Sequence, residues 1–256
     1  MKIKFLGTAA NGGVPQLDCR CGICVAAEKE NKLRRLRSSV LVETEGKKIV
    51  LDCGPDFRQQ MLKEGLRLQD LDLIVVTHLH FDHVGGLMEM STGKHFEVPV
   101  LVSEKNRILL MMRDEIKYLV GVKFIKLISE SEGRELGVEL FEIPHDPKFP
   151  TCAVIVHEDN KQAWYSSDVA KITDKMLERM KNIDLAIFDA TFLNEKIFPA
   201  KKLNHITVEE SAPILAKLNK EVIFSHINHS EDLVKMREFL NKFGFELAKD
   251  GLSVKI

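Results

Sequence analysis

Residues 77–86 read Thr77-His78-Leu79-His80-Phe81-Asp82-His83-Val84-Gly85-Gly86, directly after the apolar run Leu73-Ile74-Val75-Val76. The run predicts a buried strand, and the polar residues begin where it stops. His78 and His80 are two residues apart, so on extended backbone they face the same way. Asp82 and His83 then fall at a turn into a helix. Neutral imidazoles with a carboxylate are the donor set for zinc or a similar divalent ion. Four donors in six residues can serve two metal ions if the turn aims Asp82 and His83 away from the first pair. Gly85 and Gly86 permit close backbone approach just behind them. The chain has 9 His, three of them within these six positions. A metal site therefore explains the stretch better than a chance polar loop.

Further donors recur, each at the end of an apolar run. His145 follows Phe141-Glu142-Ile143-Pro144, Asp168 follows Trp164-Tyr165-Ser166-Ser167, and His226 follows Val222-Ile223-Phe224-Ser225. Sites form at the carboxyl ends of strands in α/β sheets, so each is a candidate ligand.

Other strand-like runs are residues 3–6, 39–42, 48–52, 98–102, 122–127, 138–143, 152–157, 163–166, 185–190, 222–225 and 252–256. Glu45-Gly46 and Glu158-Asp159-Asn160 read as hairpin turns. Helices are expected over residues 56–64, 104–120, 174–181, 208–217 and 230–243. In the last, Leu233, Met236, Leu240 and Phe243 make one apolar face, with Ser230 as its N-cap. Strands come first in pairs and then alternate with helices. This predicts an α/β chain built as a four-layer αββα sandwich, two mixed β-sheets with helices on the outer faces, in a single domain over 1–256.

Composition sets the remaining bounds. Lys and Arg number 37 and Asp and Glu 38, a net charge of −1. So balanced a chain has no built-in attraction for phosphate backbones, and nucleic acid is not an expected partner. No apolar run reaches membrane-spanning length, and the first residues are too mixed for a signal peptide. No membrane partner and a cytoplasmic location are expected. Three of the 5 cysteines crowd into Cys19-Arg20-Cys21-Gly22-Ile23-Cys24. In a reducing compartment, C-x-C-x-x-C reads as metal binding. Three thiolates want a fourth ligand for a closed structural zinc site, and His229, three residues after His226, is the candidate. Cys53 and Cys152 sit in or beside apolar runs and are expected in the core.

The run His78-x-His80-x-Asp82-His83, with His145, Asp168 and His226 in that order, resembles the metallo-β-lactamase fold hydrolases over nearly the whole chain. The resemblance implies that His78, His80 and His145 hold one divalent ion (zinc or manganese). It implies that Asp82, His83 and His226 hold a second, with Asp168 bridging. It also implies that Asp52, in Leu51-Asp52-Cys53-Gly54, orients the histidine loop, as a carboxylate can by fixing an imidazole's tautomer. The cysteine cluster, residues 51–58 and His226-Ile227-Asn228-His229 resemble a subgroup that includes the phosphoribosyl cyclic phosphodiesterase of phosphonate catabolism. In that subgroup three cysteines and a histidine hold a structural zinc, and the likeness implies a homodimer. Gly12-Gly13-Val14-Pro15-Gln16 also resembles the pyrroloquinoline-quinone biosynthesis protein B. That protein departs from the full histidine motif, which this sequence keeps.

A bridged pair of metal ions lowers the pKa of a shared water and supplies hydroxide as nucleophile. The leaving group still needs a proton. His205, in Leu203-Asn204-His205-Ile206-Thr207, is the candidate acid, and Asp189, at the end of another run, could orient it. These two, with Asp82 among the ligands, are the candidate catalytic residues. His95 and His157 match no motif and read as structural or surface residues. Lys201-Lys202 and the run Arg34-Arg35-Leu36-Arg37 read as solvated faces, with an anionic substrate as the alternative for the arginines. The expected activity is hydrolysis of a small cyclic phosphodiester, of phosphoribosyl cyclic phosphate or cyclic nucleotide type. Alternatives in the same superfamily are a tRNA 3′-processing endonuclease, a thioester or lactone hydrolase, and an iron-dependent oxidoreductase. Only 22 residues separate His145 from Asp168, too few for the long substrate arm of the tRNA enzymes.

Overall fold

Side chains alternate along the strands, and that alternation sorts them into separate cores. The computed structural model describes residues 1–92, 96–196 and 199–256. The sequence-based expectation for His95 lies outside the described residues. The elements are β1 (Lys2–Gly7), α1 (Gly22–Lys29), β2 (Ser39–Thr44), β3 (Lys47–Leu51), α2 (Phe57–Glu64), β4 (Leu73–Val75), α3 (Phe81–Val84) and β5 (Val98–Leu101). Then come α4 (Glu104–Leu110), α5 (Asp114–Gly121), β6 (Ile125–Ile128), α6 (Glu130–Glu135), β7 (Val138–Ile143), β8 (Thr151–Glu158), β9 (Lys161–Ser166) and α7 (Asp174–Met180). The last are β10 (Leu185–Asp189), α8 (Val208–Ala216), β11 (Glu221–Ser225), α9 (Leu233–Asn241), β12 (Glu246–Leu247) and β13 (Ser253–Lys255).

One sheet has the order β13-β1-β2-β3-β4-β5-β6, the other β12-β11-β10-β9-β8-β7. Both are mixed. β3 to β6 run parallel beside an antiparallel half, and β9 to β12 run parallel beside the antiparallel β7 and β8. In β3, Ile49 and Leu51 face the second sheet while Val50 faces the helices. In β9, Ala163 and Tyr165 face the first sheet while Trp164 faces outward. Period-two alternation thus gives one core between the sheets and one under each helical layer. Phe57 and Met61 of α2 and Ile116 and Leu119 of α5 cover the first sheet. Met176 of α7, Ala212 of α8 and Leu240 of α9 cover the second. This is the expected four-layer αββα arrangement. Among the described residues no helix is long and apolar enough to cross a membrane.

The Glu45-Gly46 turn closes the β2–β3 hairpin with φ of 48° and 78°, the mirror-image turn that matches strand twist. Several boundaries differ from expectation. The helix over 104–120 is two helices, α4 ending at Leu110 and α5 starting at Asp114. Asp232, not Ser230, caps α9, its carboxylate accepting from Val234 N and Lys235 N. Residues 122–124 close α5 through Lys123, at φ 58°, so β6 starts only at Ile125. Asp82 and His83 lie in the short helix α3, where a turn into a helix is expected, whereas α1, α6 and β12 are outside the expected set.

Candidate active site

Parallel strands place the predicted donors on one edge. Asp52 follows β3 and the 77–83 stretch follows β4. His145, Asp168 and His226 lie just beyond β7, β9 and β11, and Asp189 ends β10. The ligand atoms form overlapping groups, each spanning no more than 4.8 Å: His78, His80, His145 and Asp168; then Asp82, His83 and His226; then Asp168, His205 and His226. Asp168 lies between the first two. Its Oδ1 is 3.7 Å from His145 Nε2, and its Oδ2 is 3.2 Å from His83 Nε2 and 3.6 Å from His226 Nε2. His83 Nε2 and His226 Nε2 are 3.1 and 3.4 Å from Asp82 Oδ2.

Each imidazole spends its other nitrogen on a protein acceptor, which fixes the tautomer and aims the free lone pair inward. His83 Nδ1 donates to Asp52 Oδ2 at 2.7 Å. His78 Nδ1 donates to the Thr77 hydroxyl at 3.0 Å, and that hydroxyl donates to Asp52 Oδ1. His226 Nδ1 donates to the Thr191 hydroxyl at 2.8 Å, which donates to Asp189 Oδ1. His145 Nδ1 donates to the carbonyl of Asn204, and His80 Nε2 donates to Asp146 Oδ2 at 2.9 Å. Asp52 also accepts from Thr77 N and Tyr165 OH. Asp52 and His226 sit at φ 63° and 64°, a backbone region sparsely used by residues with a Cβ. The loop behind is tight. A Cβ on Gly54 would meet the Asp82 carbonyl at 2.0 Å, and one on Gly86 the Gly54 carbonyl at 2.2 Å.

The donor set fits divalent metal ions. His83 Nε2, His145 Nε2 and Asp168 Oδ2 are buried and make no hydrogen bond among the described residues. Buried polar atoms are seldom left so, and three that converge mark a place for a cation. Burial and the neighbouring His83 push the His78 pKa well down, so its ring is held neutral, the form that ligates. Burial opposes charge on Asp82 and Asp168, yet the surrounding histidines keep both carboxyls well below the ordinary range.

His205 lines the same cleft as the ligands, a space of about 590 Å³. Its Nδ1 donates to Asp189 Oδ2 at 2.7 Å, and its Nε2 faces inward, 3.8 Å from Asp168 Oδ1. Burial works against its protonation, but the Asp189 carboxylate outweighs that and leaves its pKa above the ordinary value. Asp189 is fully buried and also accepts from Val169 N and Thr191 N.

The cysteine cluster makes a separate site. Cys19, Cys21 and Cys24 Sγ lie 3.4, 3.6 and 3.5 Å from His229 Nδ1. Zinc–sulfur and zinc–nitrogen bonds at tetrahedral angles give edges of about 3.5 Å, so the four atoms suit one closed zinc site. Burial pushes the Cys24 thiol up to about 11, a cost that a bound cation removes.

Residues 47–227 match the family model described as the beta-lactamase superfamily domain. The chain belongs to the beta-lactamase superfamily. Within it, coenzyme PQQ synthesis protein B of Methylorubrum extorquens is 26% identical over the full length of both chains. The structure of Zn(2+)-bound PqqB from Methylobacterium extorquens has a TM-score of 0.85 at 23% identity, covering 100% of each chain. A structure described as a new diphosphatase from the PhnP family has a TM-score of 0.79 at 27% identity, covering 100% of this chain and 97% of that one. An octanoyltransferase of Porphyromonas gingivalis is 29% identical over 246 residues. The match takes in 91% of this chain but 47% of that relative, so the chain spans about half of its length.

This superfamily member departs from the sequence reading at its arginine run. Arg35 is buried and donates to the carbonyls of Ile227 and Asn228, bracing the backbone between His226 and His229. Arg37 lines the cleft, while Arg34 packs on carbonyls at the end of α1. Residues 34–37 are extended backbone, bridged to Val14 at Arg35 and to Ala9 at Arg37, so that of the three arginines only Arg34 is exposed, which a count of charges does not show. Lys201 pairs with Glu210, and His157 lies 3.3 Å from Glu139. Cys53 and Cys152 are buried as expected. Thr77, Asp146, Tyr165, Thr191 and the Asn204 carbonyl were not singled out from the sequence. Position beside a candidate site residue was the one available signal, and it holds for Thr77 and Asp146, beside His78 and His145, and for Asn204, beside His205.

Proposed function

We propose that the chain is a metal-dependent phosphodiesterase that hydrolyses a small phosphodiester. The observation that carries this reading is His205, an imidazole tied to a buried carboxylate at 2.7 Å with its other nitrogen turned into the ligand-lined cleft. Carboxylate and phosphate esters with good leaving groups need no such donor, whereas a phosphodiester leaving as an alkoxide does. The likeness to a PhnP-family diphosphatase, at 27% identity over the whole chain, supports phosphorus chemistry. The 22 residues between His145 and Asp168 are largely taken up by the β8–β9 hairpin, which speaks against the tRNA-processing alternative.

His78, His80 and His145 would hold one divalent ion, and Asp82, His83 and His226 a second, with Asp168 shared; Cys19, Cys21, Cys24 and His229 would hold a structural zinc. Ions in the first two places supply an acidified water and positive charge for the phosphate oxygens. The chain's own residues do the rest. Asp189 holds Nδ1–H of His205, so the proton to be delivered sits on Nε2, facing the leaving oxygen. Phe192 and Leu203 flank that histidine in the cleft and limit water around it. Asp52 and Asp189 keep the ligand rings from rotating.

Replacing His205 by Ala tests the reading. Turnover of alkyl phosphodiesters should fall about 10²–10⁴-fold, the ordinary worth of a general acid. p-Nitrophenyl esters should suffer far less, with unchanged metal content. An equal loss for both leaving groups would falsify the acid role. A second reading, a part in coenzyme synthesis, is favoured by the full-length match to coenzyme PQQ synthesis protein B.

A further inference from the structure

Two ligand sets meet in one short segment. His226 turns Nε2 toward Asp82 in the cleft, and His229, three residues on, turns Nδ1 toward the sulfurs of Cys19, Cys21 and Cys24. Ile227 and Asn228 are the whole connection between them. His226 sits at φ 64°, a conformation that a residue with a Cβ keeps only where its surroundings impose it. Part of that hold is backbone. Ile227 N donates to the Thr8 carbonyl, Asn228 N to the Thr191 carbonyl, and Ala10 N to the Ile227 carbonyl. The Asn228 carbonyl accepts from Glu231 N at 3.4 Å. The rest comes from Arg35, a side chain drawn from a distant part of the sequence and only 8% exposed. Its Nη1 donates to the Ile227 carbonyl at 3.3 Å and its Nη2 to the Asn228 carbonyl at 3.2 Å.

Arg35 also reaches the cysteine loop, by two routes. The first is packing. Arg35 N and O both pair with Val14, at 3.0 and 2.9 Å. Val14 and Ala9 form a small apolar cluster with Ile23 and Ala27 of α1, the helix that carries Cys24. Two residues beyond Val14, Gln16 N donates to the Cys24 sulfur at 3.3 Å. The second route is charge. Burial pushes the Arg35 pKa down to about 10, against the pull of Asp250 and the Cys24 sulfur, so the guanidinium stays protonated at neutral pH. A divalent ion held by three thiolates and a neutral imidazole carries one net negative charge. A buried cation beside it offsets part of the cost of keeping that charge out of water. Arg35 is thus bonded to the segment between the two ligand sets and matched in charge to one of them.

We propose that Arg35 is a positioning residue that couples the cysteine set to the active site. With the cysteine set filled, it fixes Ile227 and Asn228 so that His226 stands in line with Asp82 and His83. Emptying the cysteine set releases that hold and weakens metal binding at the active site. The coupling runs equally in the other direction. It rests on the two ligand sets assigned above and not on the phosphodiesterase reading, so it stands or falls whatever ester is hydrolysed.

Cobalt(II) is the probe, because the two sets report on it differently. Thiolate ligands give it an intense charge-transfer absorption, whereas imidazoles and carboxylates give only weak visible bands. Chelator competition then yields separate affinities in wild type, Cys21→Ser, Arg35→Gln and the double variant. Cys21→Ser should abolish the charge-transfer band. It should also weaken one active-site ion about 10- to 100-fold, as the loss of a ligand's supporting partner does. Arg35→Gln, with the cysteine set saturated, should bring a similar weakening. The double variant should lose little more than either single one, the mark of a shared route. Arg35→Lys keeps the charge and can reach one carbonyl, so its loss should be smaller than that of Arg35→Gln. Unchanged active-site affinity in Cys21→Ser, or losses that simply multiply in the double variant, overturns the inference. So does wild-type cobalt binding without the charge-transfer band. Should a variant not fold, wild type with its cysteine-set thiols capped by a mercurial replaces Cys21→Ser, and Arg35→Lys replaces Arg35→Gln, with the same expected and contrary results. No readout involves turnover, so a failure of the phosphodiesterase reading shows separately.

Discussion

Thr77 and Thr191 each stand between a histidine and a buried aspartate, accepting from the ring and donating to the carboxylate. Asp52 serves His83 directly and His78 through Thr77. Asp189 serves His205 directly and His226 through Thr191. Two aspartates thus set the tautomers of four rings, and the proposed acid and a proposed ligand share one of them. Thr191→Val removes the hydroxyl but keeps the shape, so His226 loses its acceptor. Metal affinity at the Asp82, His83 and His226 group should drop about 10–100-fold, as for other lost partners of ligating histidines. Chelator competition followed by metal counting measures it. Equal retention of metal by variant and wild type would contradict the relay. The donors themselves were legible in the sequence because three of the 9 His crowd into residues 78–83, and further His and Asp recur after other apolar runs. Their partners were not, because a threonine, a tyrosine or a main-chain carbonyl carries no compositional signal until the fold brings it close.

At the level of elements, the strands were the most legible part, since a short run such as Ile49-Val50-Leu51, apolar throughout, suits a strand buried on both faces. Helix ends were less so. The break between α4 and α5 falls inside a stretch expected to be one helix, and α1 begins inside the cysteine cluster, which reads as metal binding. Helix α8 begins just beyond His205. Thr207 caps it, accepting from Glu210 N while Glu210 accepts from Thr207 N and its hydroxyl, two residues beyond His205. Thr207→Ala should cost about 1 kcal/mol in chemical denaturation. The Lys201 ammonium, against some burial, and the Thr207 donors hold Glu210 below its ordinary value of 4.5. A carboxyl depressed in the folded state contributes stability that is full above that ordinary value and fades as pH falls below it. The stability gap between wild type and Glu210→Gln should therefore be widest near pH 7 and shrink below pH 4.5. A gap that is constant with pH would contradict the box.

Across the whole molecule, each sheet supplies part of the site. The first brings Asp52 and the 78–83 donors; the second brings His145, Asp168, Asp189 and His226. The chemistry exists only where their edges meet, and Asp168 reaches both ligand groups with one carboxylate. That makes it the single residue on which the account depends most. The measurement to make is hydrolysis of bis(p-nitrophenyl) phosphate by protein reloaded with zinc or manganese, beside Asp168→Ala under the same conditions. Wild type should show metal-dependent turnover that is abolished in the variant. No turnover by wild type with its ligand groups filled, or turnover that survives in Asp168→Ala, would contradict it.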